Sequence, residues 1–183
     1  MEGIVSLLDE EHYRLTESLW EELERTFGLR GIYVTPYPHF SYHVAKGYYD
    51  AARLETALRG VADSTRAFPV RTGGLGIFTG QSPVLYVPVV RSLALSQLHQ
   101  RVWEAASPLS SGEEAYYQPE SWMPHITIVF GALPSETLPA VVHLLSERDF
   151  YWQISVDNLT YIEDVVGQGQ KLQFQFKFEK SST

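Results

Sequence analysis

The chain writes one short phrase twice. Pro38-His39-Phe40-Ser41-Tyr42 returns about half a chain later as Pro124-His125-Ile126-Thr127-Ile128. A strand turns successive side chains to opposite faces. His39 and Ser41 therefore share one face, as do His125 and Thr127, while Phe40, Tyr42, Ile126 and Ile128 point into a core. Two such strands brought side by side surround one small cavity with two imidazoles and two hydroxyls. Those groups can hold a phosphate and move protons on both sides of it.

The surrounding pattern repeats with the phrase. Each histidine opens the order strand, helix, strand, strand, the first through Val90 and the second through Phe178. The first run comprises a histidine strand over 39–46 and a helix after the N-cap Asp50, carrying Leu54, Ala57, Leu58 and Val61. A strand begun by Phe68-Pro69-Val70-Arg71 meets Gly73 to Phe78, and another follows over 84–90, with Pro88 making it an edge or bulged one. The second comprises a histidine strand over 122–130, a helix behind Ser135 with Leu138, Val141, Val142 and Leu145, and strands over 151–162 and 172–178. Gly167 and Gly169 mark the turn between those last two. An amphipathic helix over 9–27, stopped by Gly28, precedes both runs, and Gly31 to Thr35 reads as a short strand. Ser92 caps a helix with Leu95, Leu98, Val102 and Ala105, and 107–118 reads as a loop. The repeat predicts an α+β fold built as a bilobed pseudo-two-fold duplication. Each lobe is a mainly antiparallel sheet with helices on its outer face, with a cleft between the lobes. Lobe cores of about 30–90 and 122–178 are expected within one domain spanning 1–183.

Composition narrows the chemistry. With 183 residues and 44% apolar content the chain can bury a sizeable core. It has no cysteine, which removes disulfides, thiolate zinc sites and cysteine nucleophiles. The first residues turn acidic after a short apolar patch, unlike a secretory signal, and no run is long enough for a membrane span; a cytoplasmic protein without membrane contact is expected. The net charge of −8 and the scattered Lys and Arg argue against tracking a long nucleic-acid tract. Lys46, Arg71, Arg91 and Lys171 could still gather in the fold. A zinc site is disfavoured: His39 and His43 lie about 13 Å apart on a strand, too far to share an ion. The glycines from 73 to 76 lack the Lys-Ser/Thr and helix start of a phosphate loop.

The paired motifs His39-Phe40-Ser41-Tyr42 and His125-Ile126-Thr127-Ile128 resemble the 2H phosphoesterase superfamily, whose members carry two H-Φ-[ST]-Φ motifs on a bilobed α+β scaffold. The group includes the bacterial 2′-5′ RNA ligase-like RNA 2′,3′-cyclic phosphodiesterases. The Pro before each His, the helix after each motif strand, and Gly74-Leu75-Gly76-Ile77-Phe78 before Val84-Leu85-Tyr86 extend the resemblance over about 30–178. It implies metal-free, cofactor-free phosphoester chemistry at His39, Ser41, His125 and Thr127.

Imidazole suits both halves of such a reaction, because its pKa of about 6.5 leaves acid and base forms available near neutrality. His39 and His125 are the expected acid–base pair, with neither assigned to one role. Ser41 and Thr127 would donate to the non-bridging oxygens. Tyr37 and Trp122, beside the motifs, are expected to stack on a base. His43 shares the face of His39 and either lines the rim of the cleft or serves the structure; His12, His99 and His143 are read as hydrogen-bonded structural residues. The expected substrate is a 2′,3′-cyclic phosphate at an RNA end or on a small nucleotide, acted on by a monomer. A nucleotide- or RNA-end-binding module with little turnover, and an enzyme cleaving or joining 2′-5′ linkages, are the alternatives.

Overall fold

The computed structural model describes residues 1–131, 133–165 and 169–180. Along them run β1 (Glu2–Leu7), α1 (Glu10–Phe27), β2 (His39–Ala45), β3 (Gly47–Tyr48) and α2 (Ala51–Asp63). Next come β4 (Phe68–Arg71), β5 (Gly76–Phe78), β6 (Val84–Pro88), α3 (Leu93–Ala106) and β7 (Ser110–Ser111). The chain continues with β8 (His125–Val129), α4 (Leu138–Ser146), β9 (Gln153–Val156), β10 (Asn158–Val165) and β11 (Gly169–Lys177).

Local chemistry sets the helix ends. The Asp9 carboxylate accepts from the His12 N–H at 3.1 Å, and Gly28, at φ +70°, returns its N–H to the Glu24 carbonyl. Asp50 and Ser92 cap α2 and α3 by accepting from the N–H groups of Arg53 and Leu95. Ser135 caps nothing. The Pro134 carbonyl closes a turn onto the N–H groups of Thr137 and Leu138, so α4 begins at Leu138 with a proline in its first turn.

Three elements differ from the sequence reading. Residues 2–7 form a strand, buried from Gly3 through Ser6. A strand covered on both faces shows no alternation, which hides it from a period-two test. Gly31–Val34 is a 3-10 turn, not a strand. It lies against the end of β8, where a Cβ on Gly31 would stand 2.0 Å from the Phe130 carbonyl oxygen. Finally, the strand read over 151–162 is two. It breaks at Asp157, after which the buried Asn158 amide bonds both the N–H and the C=O of Leu7. Gly167 lies outside the described residues; Gly169 opens β11 at φ +71°.

All strand pairs are antiparallel. One sheet has the order β11-β10-β1-β2, another β5-β6-β8, and β3–β7 and β4–β9 are two-stranded. Every one of these sheets takes strands from both sides of Val90. The halves read along the sequence are therefore not the units that hydrogen-bond; pairing crosses between them. Order along a chain does not specify which edges meet. β2 and β8 each form the edge of their own sheet and lie against one another without joining. That arrangement brings the two motif strands into contact.

Candidate active site

The motif strands follow one design. In β2 and β8 alike, the histidine and the hydroxyl residue are half-buried, and the apolar residues between and after them are buried. Each strand then carries a bulge at the same motif position. Val5 faces Ser41 and Ile4 faces His43, leaving Tyr42 as the extra residue. Leu85 faces Val129 and Tyr86 faces Thr127, leaving Ile128 as the extra one. A bulge interrupts alternation and bends its strand.

The bulge explains His43. Strict alternation would set it beside His39; after the extra residue it turns inward with Tyr42 and is fully buried. Its Nδ1 bonds the Tyr48 hydroxyl at 2.7 Å, its ring packs on Trp103, and its Nε2 faces Glu113 at 3.5 Å. It is a core residue.

Both motif histidines are oriented in the same way. His39 Nδ1 donates to the Tyr37 carbonyl at 2.5 Å, and His125 Nδ1 donates to the Met123 carbonyl at 2.7 Å. A carbonyl can only accept, so Nδ1 carries the proton and Nε2 is the atom left for chemistry. Burial, with repulsion from His125 added, pushes the His39 pKa down to about 4. Burial also lowers His125, against the opposing hydrogen bond to Met123. Phe78 and Tyr86, stacked on each other, pack edge-on against His125 at 5.0 and 5.3 Å. The Tyr86 ring occupies the space a Cβ on Gly76 would need.

A cleft of about 610 Å³ opens beside His39 and is lined by His39, Thr127, Tyr37, Tyr33, Phe130 and Lys171, among others; His125 and Ser41 are not part of that lining. That size lies in the range of small-ligand sites. Of the four basic residues that could have gathered, Lys171 alone lines it among the described residues. Arg91 is tied to the Pro119 and Trp122 carbonyls at 2.7 and 3.3 Å. Ser41 shares the face of His39 on β2. Tyr37 stands in the cleft as read from the sequence. Trp122 does not. It is 2% exposed, its ring stacks on His99 at 3.9 Å, and Tyr42 and Arg91 cover it further. With no free face it cannot stack on a base, and this corrects the reading taken from its position beside the motif. Phe130 carries no site expectation from the sequence; folding of the 3-10 turn and the β10–β11 hairpin brings Tyr33 and Lys171 to the same cleft.

His99 is buried. Its Nε2 donates to the Tyr42 and Tyr117 carbonyls, both at 3.0 Å, while its Nδ1 has no partner. Burial holds its pKa down at about 4. His12 is likewise buried, bonded to Asp9 at 2.6 Å, whereas His143 is exposed. The depressed values of His39 and His99 make folding pH-dependent. Their contribution is complete above the unfolded value of about 6.5 and is lost as pH falls toward about 4, because the unfolded chain takes up the protons first. The melting temperature is expected to drop by several degrees between pH 7.5 and pH 5; a constant value by calorimetry would contradict it.

Comparison with known proteins places this arrangement. The family model described as the 2′-5′ RNA ligase superfamily matches residues 11–168. Among solved structures, TT0787 of Thermus thermophilus superposes with a TM-score of 0.68 at 13% identity, over 99% of each chain. E. coli LigT complexed with ATP gives 0.57 at 14% identity, over 97% of this chain and 96% of that one. E. coli LigT complexed with 3′-AMP gives 0.57 at 17% identity with the same coverage. At these identities the likeness is one of fold. No curated protein matches the chain.

Proposed function

Given that the chain belongs to the 2′-5′ RNA ligase superfamily, we propose that the cleft is a metal-independent phosphodiesterase site that opens a 2′,3′-cyclic phosphate at an RNA end or on a small nucleotide. The observation that carries this reading is the matched pair of histidines. Each is tied through Nδ1 to the carbonyl two residues upstream, each leaves Nε2 available, and each shares its strand face with a hydroxyl. E. coli LigT, which shares the fold, has been solved with two nucleotides, and this too supports a nucleotide-sized occupant.

In the proposed reaction His39 is the base. Its stronger depression keeps Nε2 unprotonated at neutral pH, ready to take a proton from water as the water oxygen attacks phosphorus. His125 is the acid. The incoming phosphate anion raises both imidazoles, and the less depressed one protonates first. Its Nε2 proton goes to the ribose oxygen as the phosphorus–oxygen bond breaks, giving a phosphomonoester and a free hydroxyl. Ser41 and Thr127 donate to the non-bridging oxygens and hold them in line. The positive charge on His125 offsets the phosphate in an otherwise acidic protein. Tyr37 and Tyr33 provide an aromatic wall for a base, and Lys171 a cation in the cleft lining.

The test is turnover of 2′,3′-cyclic nucleotides and 2′-5′ oligonucleotides in EDTA. Chelator-resistant opening of the cyclic substrates supports the proposal. Tight nucleotide binding without hydrolysis would instead mark a binding module, and reaction confined to 2′-5′ linkages a cleaving or joining enzyme. The pH dependence adds a sharper check. In the free protein the base works above about pH 4, and the acid keeps its proton only below a value depressed from 6.5. A bell-shaped kcat/KM with its maximum on the acidic side of 6.5 is therefore expected. A profile flat from pH 5 to pH 8 would sink the paired-histidine mechanism.

A further inference from the structure

Each motif strand has a second matched feature that the reaction itself does not use. The Ser41 carbonyl accepts from the indole Nε1 of Trp122 at 2.9 Å, and the Thr127 carbonyl accepts from the indole Nε1 of Trp20 at 3.2 Å. In both strands the accepting carbonyl belongs to the hydroxyl residue, directly before the bulged Tyr42 or Ile128. A bulge interrupts the hydrogen-bonded ladder at that point. A carbonyl in such a place would otherwise sit buried without a fixed partner. Both indoles are core-like, with Trp122 2% exposed and Trp20 4% exposed.

The donors come from elsewhere in the chain. Trp20 belongs to α1, which packs against β8. Trp122 lies three residues before His125, on the segment that leads into β8, yet its bond runs to β2. One indole thus links the approach to the second motif with the hydroxyl residue of the first. Its ring is wedged between His99 and Tyr42, so the N–H has little freedom to point elsewhere.

We infer that Trp122 and Trp20 are positioning residues for the phosphate-binding hydroxyls: each fixes the bulged backbone that aims Ser41 or Thr127. This rests on the proposed function. The pairing is specific, since Trp122 acts through Ser41 and Trp20 through Thr127.

The test is a set of double-mutant cycles on turnover of a 2′,3′-cyclic nucleotide. Trp122→Phe and Trp20→Phe remove the N–H and keep an aromatic ring. Each is expected to lower kcat/KM about tenfold, with the pH profile unmoved because the histidines are untouched. Trp122→Phe should lose nothing further in a Ser41→Ala background and keep its full effect in a Thr127→Ala background; Trp20→Phe should show the reverse. A general loss of packing would instead lower activity by the same factor in both backgrounds, and that result overturns the assignment. If the Phe variants do not fold, benzothienylalanine at either position, which puts sulfur in place of the indole N–H at constant shape, is read in the same cycle. Active wild-type protein with additive cycles overturns this inference alone. Wild-type protein that neither turns over the cyclic nucleotide nor binds its phosphomonoester product overturns the proposed function and this inference with it.

Discussion

Replacing His39 or His125 by alanine is expected to lower turnover of a cyclic phosphate roughly 10²–10⁴-fold, the usual contribution of one positioned acid or base. The matched geometry calls for both. Each ring is held by a carbonyl through Nδ1, each presents Nε2, and neither can cover both ends of a displacement in which one oxygen gains a proton while another loses one. Groups that act as a unit are far from additive, so the double variant is expected to fall little below the worse single one. Both side chains are only half-buried, so truncating either removes little buried contact. Neither variant should melt much below wild type, so lost activity cannot be blamed on unfolding. A single variant with near-normal turnover on a verified substrate removes that histidine from the mechanism.

The largest stability effect is expected from a methyl group. Gly31→Ala sets a Cβ 2.0 Å from the Phe130 carbonyl oxygen and 2.9 Å from its carbon. These are backbone atoms at the end of β8, so no side chain can swing aside and the 3-10 turn must lift off the strand. The cost is expected to reach about 2–3 kcal/mol, at the upper end for overpacking. The melting temperature should fall by roughly 5–10 °C. Because the same turn carries Tyr33 and leads to Tyr37, both on the cleft wall, KM should rise with the loss of stability. A variant that melts like wild type would show that the contact relaxes freely.

The central feature was legible because two independent signals agreed. Period-two alternation told which faces His39 and His125 occupy, and the repeated order of elements told that the two strands belong together. Capping chemistry at Asp9, Gly28, Asp50 and Ser92 was equally local, and the helices begin and end where those residues direct. What stayed hidden depends on tertiary partners. β1 is buried on both faces and so lacks a period. The bulges that turn His43 inward are set by pairing register, and no residue type marks them. Trp122 stands next to the motif in sequence, and only the packing of His99 and Tyr42 shows that both its faces are covered. Pairing across the two halves was the deepest omission, for repetition along a chain predicts symmetry without predicting whose edge meets whose.

That interleaving dictates the order in which the molecule can mature. A nascent polypeptide that has released β1 through β6 owns no finished sheet, since β3 waits for β7, β4 for β9, β6 for β8, and β1 for β10. Contacts so distant in sequence are slow to close and leave strand edges bare meanwhile. The largest sheet is complete only after β10 and β11 return to β1, so a prematurely terminated product would carry the letters of the first motif without the sheet that frames them.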